Sequence, residues 1–198
     1  MPSYNMHLTV IEVAHSRTPE QIDSMLSTLR PLGQDIVNHT FLHRARLLKP
    51  MISYDLSGLA LTFLPASSEP SHTPLLAQPE TSETVQDGDS FSYHHLRRNI
   101  FNRISGAGIE VDSRYQVPSA HITLGRFITQ DDHDTLTKRE KWVQAIDDIN
   151  AWLVKEVWEP NATGLEGEWV VGQERGLDWR VGTLWYGGGR TVMVGEGF

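Results

Sequence analysis

Two largely apolar runs of the sequence each contain a polar pair in which a threonine follows a histidine by two positions. His7 and Thr9 form the first copy, in the run MHLTVIEV, and His121 and Thr123 form the second, in the run PSAHITLGRF. Side chains alternate along a β-strand, so each histidine should share a face with its threonine while the apolar neighbours point the other way. Each run therefore predicts a strand with an imidazole and a hydroxyl on one face.

Two such pairs could attack a phosphodiester with water. Because imidazoles titrate near neutral pH, one histidine can be neutral while the other is protonated. The neutral imidazole would remove a proton from water, and the protonated one would give a proton to the leaving oxygen. The threonine hydroxyls could donate hydrogen bonds to the phosphoryl oxygens as charge moves onto them. This chemistry needs no metal and no cofactor, and we expect none.

A third match to the pattern, His133 with Thr135, serves as a control. It lies in a polar run that opens a predicted helix, where residues two apart do not share a face. A single copy is more often a half-buried histidine on a strand than a catalytic group. The two retained copies also share apolar residues at equivalent positions, and this matched pairing favours catalysis.

The composition limits the classes of function. The chain of 198 residues has a net charge of −8 and no cysteine. The negative charge disfavours general binding to long nucleic acids, which requires many phosphates to be neutralised, but allows a small phosphorylated ligand or one RNA end. Disulfides, thiol catalysis and cysteine-ligated zinc are excluded. We find no signal peptide and no membrane-spanning run, and expect an intracellular, cytoplasmic monomer that does not bind membranes.

The elements around the two motifs repeat in order. After the first motif, a capping box at Thr18 and Gln21 opens a helix, and two strands follow as a hairpin. After the second motif, Asp131 and Asp132 open the longest helix, and further strands follow. The predicted strands are residues 6–13, 41–54, 59–64, 118–127, 168–173, 179–186 and 191–194, and a separate helix covers 90–104.

This order predicts an α+β fold of two lobes, each a β-α-β-β unit, whose antiparallel sheets face a central cleft. Lobe one would cover about 1–65, a polar insert 66–89, a connecting helix 90–108, and lobe two about 110–198. The insert is rich in Ser, Thr, Pro, Glu and Asp, and we expect it to be mobile and to border the cleft.

The paired motifs resemble the signature of the 2H phosphoesterase superfamily, especially its branch of RNA ligases and cyclic nucleotide phosphodiesterases. The resemblance extends to the runs LALTFLP, SRYQVPSAHITLGRF and LWYGGGR. It implies a two-lobed α+β fold and metal-independent opening of a 2′,3′-cyclic phosphate on a small nucleotide or an RNA end. It also implies that His7 and His121 are the acid and base and that Thr9 and Thr123 bind phosphate. In some relatives the second histidine activates water, and we adopt that assignment.

Other residues are candidates for substrate binding. Trp185 and Tyr186, and more weakly Tyr115 with Arg114, could stack on a base, although aromatic residues at a hairpin end can equally pack on the core. Arg126 would suit a phosphate, but strict alternation places it opposite His121 unless Gly125 bulges the strand, and we expect a surface arginine. The basic residues of the connecting helix could meet an RNA backbone or be a solvated face: His94, His95, Arg97, Arg98 and Arg103.

Two further functions stay open. The same residues could catalyse the reverse reaction and join RNA ends. Alternatively, the chain could be a non-catalytic module that binds a nucleotide or RNA. A pure binder does not need two titrating groups, so intact histidines in both motifs favour an enzyme.

Overall fold

The computed structural model describes residues 3–66, 91–113, 119–158, 167–184 and 188–198. The fold is α+β, as predicted. The proposed mobile insert lies outside the described residues, apart from Ala66. No helix in the described ranges combines the length and the apolar character needed to cross a membrane.

The chain packs into two compact units that interleave along the sequence. The first unit comprises Met1–Leu8, Leu47–Leu64 and Ser119–Trp169, and the second comprises Thr9–Arg46, Pro65–Pro118 and Val170–Phe198. Lobes that follow one another in chain order therefore stay a prediction.

Five α-helices lie in the described ranges. They are α1 (Pro19–Leu29), α2 (Gly33–Val37), α3 (His39–Leu42), α4 (Tyr93–Gly106) and α5 (Leu136–Leu153). The predicted capping box begins α1: the Gln21 backbone N–H donates to the Thr18 hydroxyl, and the Gln21 side chain accepts from the Thr18 N–H. Short 3₁₀ helices cover Ser3–Asn5, Arg30–Leu32 and Asp131–His133, and a π-helical turn covers Val154–Trp158.

Six strands form two sheets in the described ranges. They are β1 (Arg46–Tyr54), β2 (Gly58–Pro65), β3 (Ala120–Arg126), β4 (Glu168–Val170), β5 (Asp178–Val181) and β6 (Arg190–Val194). A curled antiparallel sheet has the order β3-β2-β1-β4, and β5 pairs with β6 in a second sheet.

The predicted hairpin of β1 and β2 turns around Asp55. Its carboxylate accepts hydrogen bonds from the Ser57 hydroxyl (2.6 Å), the Ser57 N–H (2.6 Å) and the Gly58 N–H (2.9 Å). Hydrogen bonds from the Ser57 side chain and backbone, together with the charge of Arg126, hold the pKa of Asp55 below its usual value. These bonds therefore fix the turn at which the chain reverses from β1 into β2.

Strand β4 is shorter than β1, and side chains form hydrogen bonds to the part of the β1 edge that β4 leaves uncovered. Asn150 of α5 accepts from the Ile52 N–H (2.8 Å) and donates to the Ile52 carbonyl (3.0 Å), replacing a neighbouring strand. Pro50 has no N–H to offer at this edge, and its carbonyl accepts from the Trp158 indole (2.9 Å). These bonds attach α5 and the turn after it to the sheet.

Helix α4 provides much of the core of the second unit. Tyr93, Leu96, Ile100 and Ile104 are buried along one face. The Tyr93 hydroxyl donates to the Thr9 carbonyl (3.0 Å), which ties the helix to the segment that follows the first motif.

Candidate functional site

Strand β3 places the second motif as the sequence predicts. His121 faces Thr62 of β2, and Thr123 faces Ala60, so the two polar side chains lie on one face of the sheet. Both residues are half-buried. The imidazole and the hydroxyl can therefore reach one ligand bound over this face.

The predicted strand over residues 6–13 is wrong, because the segment makes only one isolated antiparallel bridge, between Leu8 and Ile122. The alternating pattern is strand-like, but the backbone groups that follow bond elsewhere. The Thr9 carbonyl accepts from the Tyr93 hydroxyl, and the Val13 carbonyl accepts from the Asp112 N–H. The ladder therefore ends after one pair.

This single bridge still brings the first histidine to the second motif. In an antiparallel pair, residues on either side of a bridge face each other, so His7 lies beside Thr123. Leu8 and Ile122 point to one face, and alternation places His7 on the other, with His121 and Thr123. Thr9 follows Leu8 directly but belongs to the second unit. Its role therefore stays a prediction from the sequence pattern.

Each histidine is held at Nδ1 by a group two residues before it. His7 Nδ1 lies 2.9 Å from the Asn5 carbonyl oxygen, and His121 Nδ1 lies 2.9 Å from Ser119 Oγ. A carbonyl can only accept, so the hydrogen bond of His7 requires a proton on Nδ1. Nε2 of His7 can then accept a proton when the ring is neutral, and donate one when it is charged. The Ser119 hydroxyl can donate or accept and so suits either form of His121.

Ser119 and Asn5 were not predicted as site residues. The Asn5 contact uses a backbone carbonyl. Every residue has one, so the sequence does not single out this position. Ser119 carried a usable signal, because two residues before His121 on a strand is the same face. A hydroxyl at that spacing is well placed to orient the ring.

A bulge in β3 changes the side-chain alternation after Thr123. Ala60 faces Thr123 and Leu59 faces Gly125, so β3 has one more residue than β2 between these pairs, namely Leu124. Arg126 then faces Gly58, which shares the face of Ala60. Arg126 therefore lies on the face of His121 and Thr123. It is a surface arginine, as expected, but it is not on the opposite face that strict alternation gives. Its neighbour Gly125 was the only hint in the sequence.

The control match behaves as predicted. His133 lies in a 3₁₀ helix, is 2% exposed, and stacks on Trp142 with ring centroids 5.7 Å apart. Thr135 is the N-cap of α5 and accepts from the Lys138 N–H. His133 thus lies in an aromatic cluster, and Thr135 caps a helix.

The remaining substrate-binding candidates cannot be placed. Trp185, Tyr186, Tyr115 and Arg114 lie outside the described residues, and their roles stay predictions. Among the described residues, no group of three or more histidine, aspartate or glutamate side chains is arranged to hold a metal ion.

Comparisons with known proteins add no relative. No protein family model matches the chain, and neither the curated proteins nor the solved structures give a match. Function must therefore be argued from the chemistry of the site.

Proposed function

We propose that the protein is a metal-independent phosphodiesterase that opens the 2′,3′-cyclic phosphate of a nucleotide or of an RNA end. The observation that carries this proposal is the bridge between Leu8 and Ile122, which sets His7 beside Thr123 on the face of His121. Two imidazoles and a hydroxyl on one face are the groups that acid-base hydrolysis requires.

In the proposed reaction, a water oxygen attacks phosphorus and forms a new P–O bond, while one P–O bond to the ribose breaks. His121 takes the proton of the attacking water, and His7 gives its Nε2 proton to the departing ribose oxygen. The product carries a phosphate monoester on one of the two ribose oxygens, and the other oxygen becomes a free hydroxyl. The two histidines end with exchanged protonation, and one proton exchange with solvent restores them.

The other groups on this face support the charged phosphate. Thr123 donates a hydrogen bond to a phosphoryl oxygen, and the same role for Thr9 rests on the sequence motif alone. Arg126 adds a permanent positive charge, and its planar donors suit two phosphoryl oxygens at once. Ser119 and the Asn5 carbonyl orient the rings through Nδ1. Each role rests on this proposal.

The finer architecture is also proposed. The bridged segment is followed by α1, β1 and β2, and β3 is followed by α5 and β4, and this similar order supports a repeated arrangement of elements. The resemblance to the 2H phosphoesterases implies that both motifs face a central cleft. RNA end joining would use the same groups, with the 5′-hydroxyl of a second RNA end in place of water as the attacking oxygen, and it remains the alternative reaction.

A panel of substrates run with a chelator tests the proposal. The panel contains the four nucleoside 2′,3′-cyclic phosphates and a short RNA with a cyclic end, each incubated with excess EDTA. We expect product formation that EDTA does not slow, with no product from His121→Ala protein prepared in parallel. Activity that EDTA abolishes and a divalent ion restores would contradict the mechanism, and no turnover of any substrate would contradict the function.

Arg126 gives a second test of the same face. We expect Arg126→Gln to lower kcat/KM for a cyclic phosphate by about ten- to a hundred-fold, the value of a hydrogen bond to a charged group. Arg30→Gln is the control, because Arg30 is an exposed arginine in the second unit. Equal activity of the two variants would remove Arg126 from the site.

A further inference from the structure

A second candidate site lies on α4, in the second unit. A surface pocket of about 310 Å³ is lined by Ile11, His94, Arg97, Arg98 and Phe101. The four helical residues follow the spacing that places side chains on one face of an α-helix. The pocket therefore lies on this face of α4, and Ile11 forms an apolar wall.

The charge of this face is opposite to that of the chain. Helix α4 (YHHLRRNIFNRISG) contains no acidic residue, although the chain has a net charge of −8. Within the described ranges, neither Arg97 nor Arg98 forms an ion pair with a carboxylate. Two adjacent guanidinium groups in an acidic protein favour an anionic ligand.

The arginines differ in how firmly they are held. The Arg97 guanidinium carbon lies 5.9 Å from the centre of the Tyr93 ring, and Tyr93 is fully buried. Arg97 is half-buried beside this fixed ring, whereas Arg98 is exposed. One cation is therefore held in a defined place, and the other can adjust to a neighbouring charge.

An exposed aromatic ring completes the pocket. Phe101 is 44% exposed and lines the pocket, so its ring is accessible to a bound ligand. Cations that follow a phosphate backbone, next to an aromatic ring on which a base can stack, are the means by which proteins bind single-stranded nucleic acids. A lone inorganic anion would use the guanidinium groups and leave the ring without a function.

We propose that this face of α4 binds single-stranded RNA, with Arg97 and Arg98 on successive phosphates and Phe101 stacked on a base. Binding of a single strand rests on the pocket alone. The choice of RNA rests on the proposed function, because a 2′,3′-cyclic phosphate can form only where the ribose has a 2′-hydroxyl. The site would increase the affinity of the protein for an RNA strand but not for a mononucleotide, which has no successive phosphates.

The test measures binding without turnover. A fluorescently labelled RNA decamer with a 3′-hydroxyl is titrated with the full chain at several salt concentrations, and anisotropy gives Kd. We expect Arg98→Ala to weaken binding at low salt and to reduce the slope of log Kd against log salt by about 0.7, the value of one phosphate contact on a single strand. Phe101→Ala should weaken binding about ten-fold or more without changing the slope, because stacking releases no counterions.

Lys141→Ala is the matched control, since Lys141 is an exposed cation on α5 in the first unit. It should leave both Kd and slope unchanged. The proposal is overturned if Lys141→Ala weakens binding as much as Arg98→Ala, if the wild type does not bind the decamer at low salt, or if a nucleoside monophosphate or an RNA duplex binds as tightly. The decamer has no cyclic end, so these outcomes do not depend on whether the protein is a phosphodiesterase.

Discussion

His7→Ala and His121→Ala should each lower kcat/KM for a 2′,3′-cyclic phosphate by about a hundred- to ten-thousand-fold. Each substitution removes one proton transfer from the transition state, a loss of roughly 3–5 kcal/mol. Because both transfers belong to one reaction, the double variant should be far less impaired than the sum of the two single losses. A variant that keeps full activity would exclude that histidine from the catalytic centre.

The pH dependence should assign the two roles. The wild type should give a bell-shaped profile of kcat/KM against pH, whose limbs belong to the pair of histidines. His121→Ala should lose the acidic limb if His121 is the base, and His7→Ala should lose the basic limb if His7 is the acid. The opposite losses would exchange the roles and keep the mechanism. A flat wild-type profile would contradict acid-base catalysis by this pair.

A fall in kcat/KM at acidic pH could also come from unfolding, so the pH profile needs a stability control. Burial, with the nearby charges of His43 and Arg103, lowers the pKa of His39 to about 4 from 6.5. As pH falls through about 6.5, His39 therefore binds a proton in the unfolded chain before it does so in the folded protein. The free energy of unfolding then decreases until pH approaches 4, and it is unaffected by this group at higher pH. Circular dichroism at each pH separates that effect, and His15→Ala, outside the site, should retain the wild-type profile.

Asn150→Ala should lower the free energy of unfolding by about 2–4 kcal/mol, because it leaves both the N–H and the carbonyl of Ile52 without their partner. Asn150→Asp should have an intermediate effect, since it still accepts from the N–H but cannot donate to the carbonyl. Urea unfolding measures the change as a shift in midpoint at constant slope.

Gln144→Ala is the matched control on α5. Within the part of the chain that the structure describes, its amide donates to the exposed Asp148 alone, so the expected change is within about 0.5 kcal/mol. If Asn150→Ala is no more destabilising than Gln144→Ala, the side chain does not replace a strand at this edge.

Local chemistry allowed several elements to be predicted from the sequence. Thr18 and Gln21 satisfy each other's backbone N–H at the start of α1, so the capping box needed no tertiary information. The hairpin turn at Asp55 and the second motif on β3 followed from side-chain preferences in the same way. The pairing of the second histidine with its threonine could thus be predicted from two residues.

Other features depend on distant partners. The run MHLTVIEV alternates like a strand. Its pairing stops after one bridge because the Tyr93 hydroxyl and the Asp112 N–H donate hydrogen bonds to carbonyls of this run. The start of α5 was predicted at Asp131, yet those residues form a 3₁₀ helix and Thr135 is the N-cap. The face of Arg126 was missed because a bulge is a mismatch between two strands, and one strand alone does not show it.

The side-chain closure of β1 has a consequence for association between molecules. An open strand edge offers N–H and carbonyl groups to any other extended chain, which is the first step of aggregation through added strands. At Pro50 there is no N–H to offer, and at Ile52 both groups are already bonded within the same chain. An incoming strand would have to displace Asn150 before it could add to the sheet. Asn150 and Trp158 belong to the same polypeptide as β1. They therefore compete with an incoming strand at an effective concentration that does not fall when the protein is diluted.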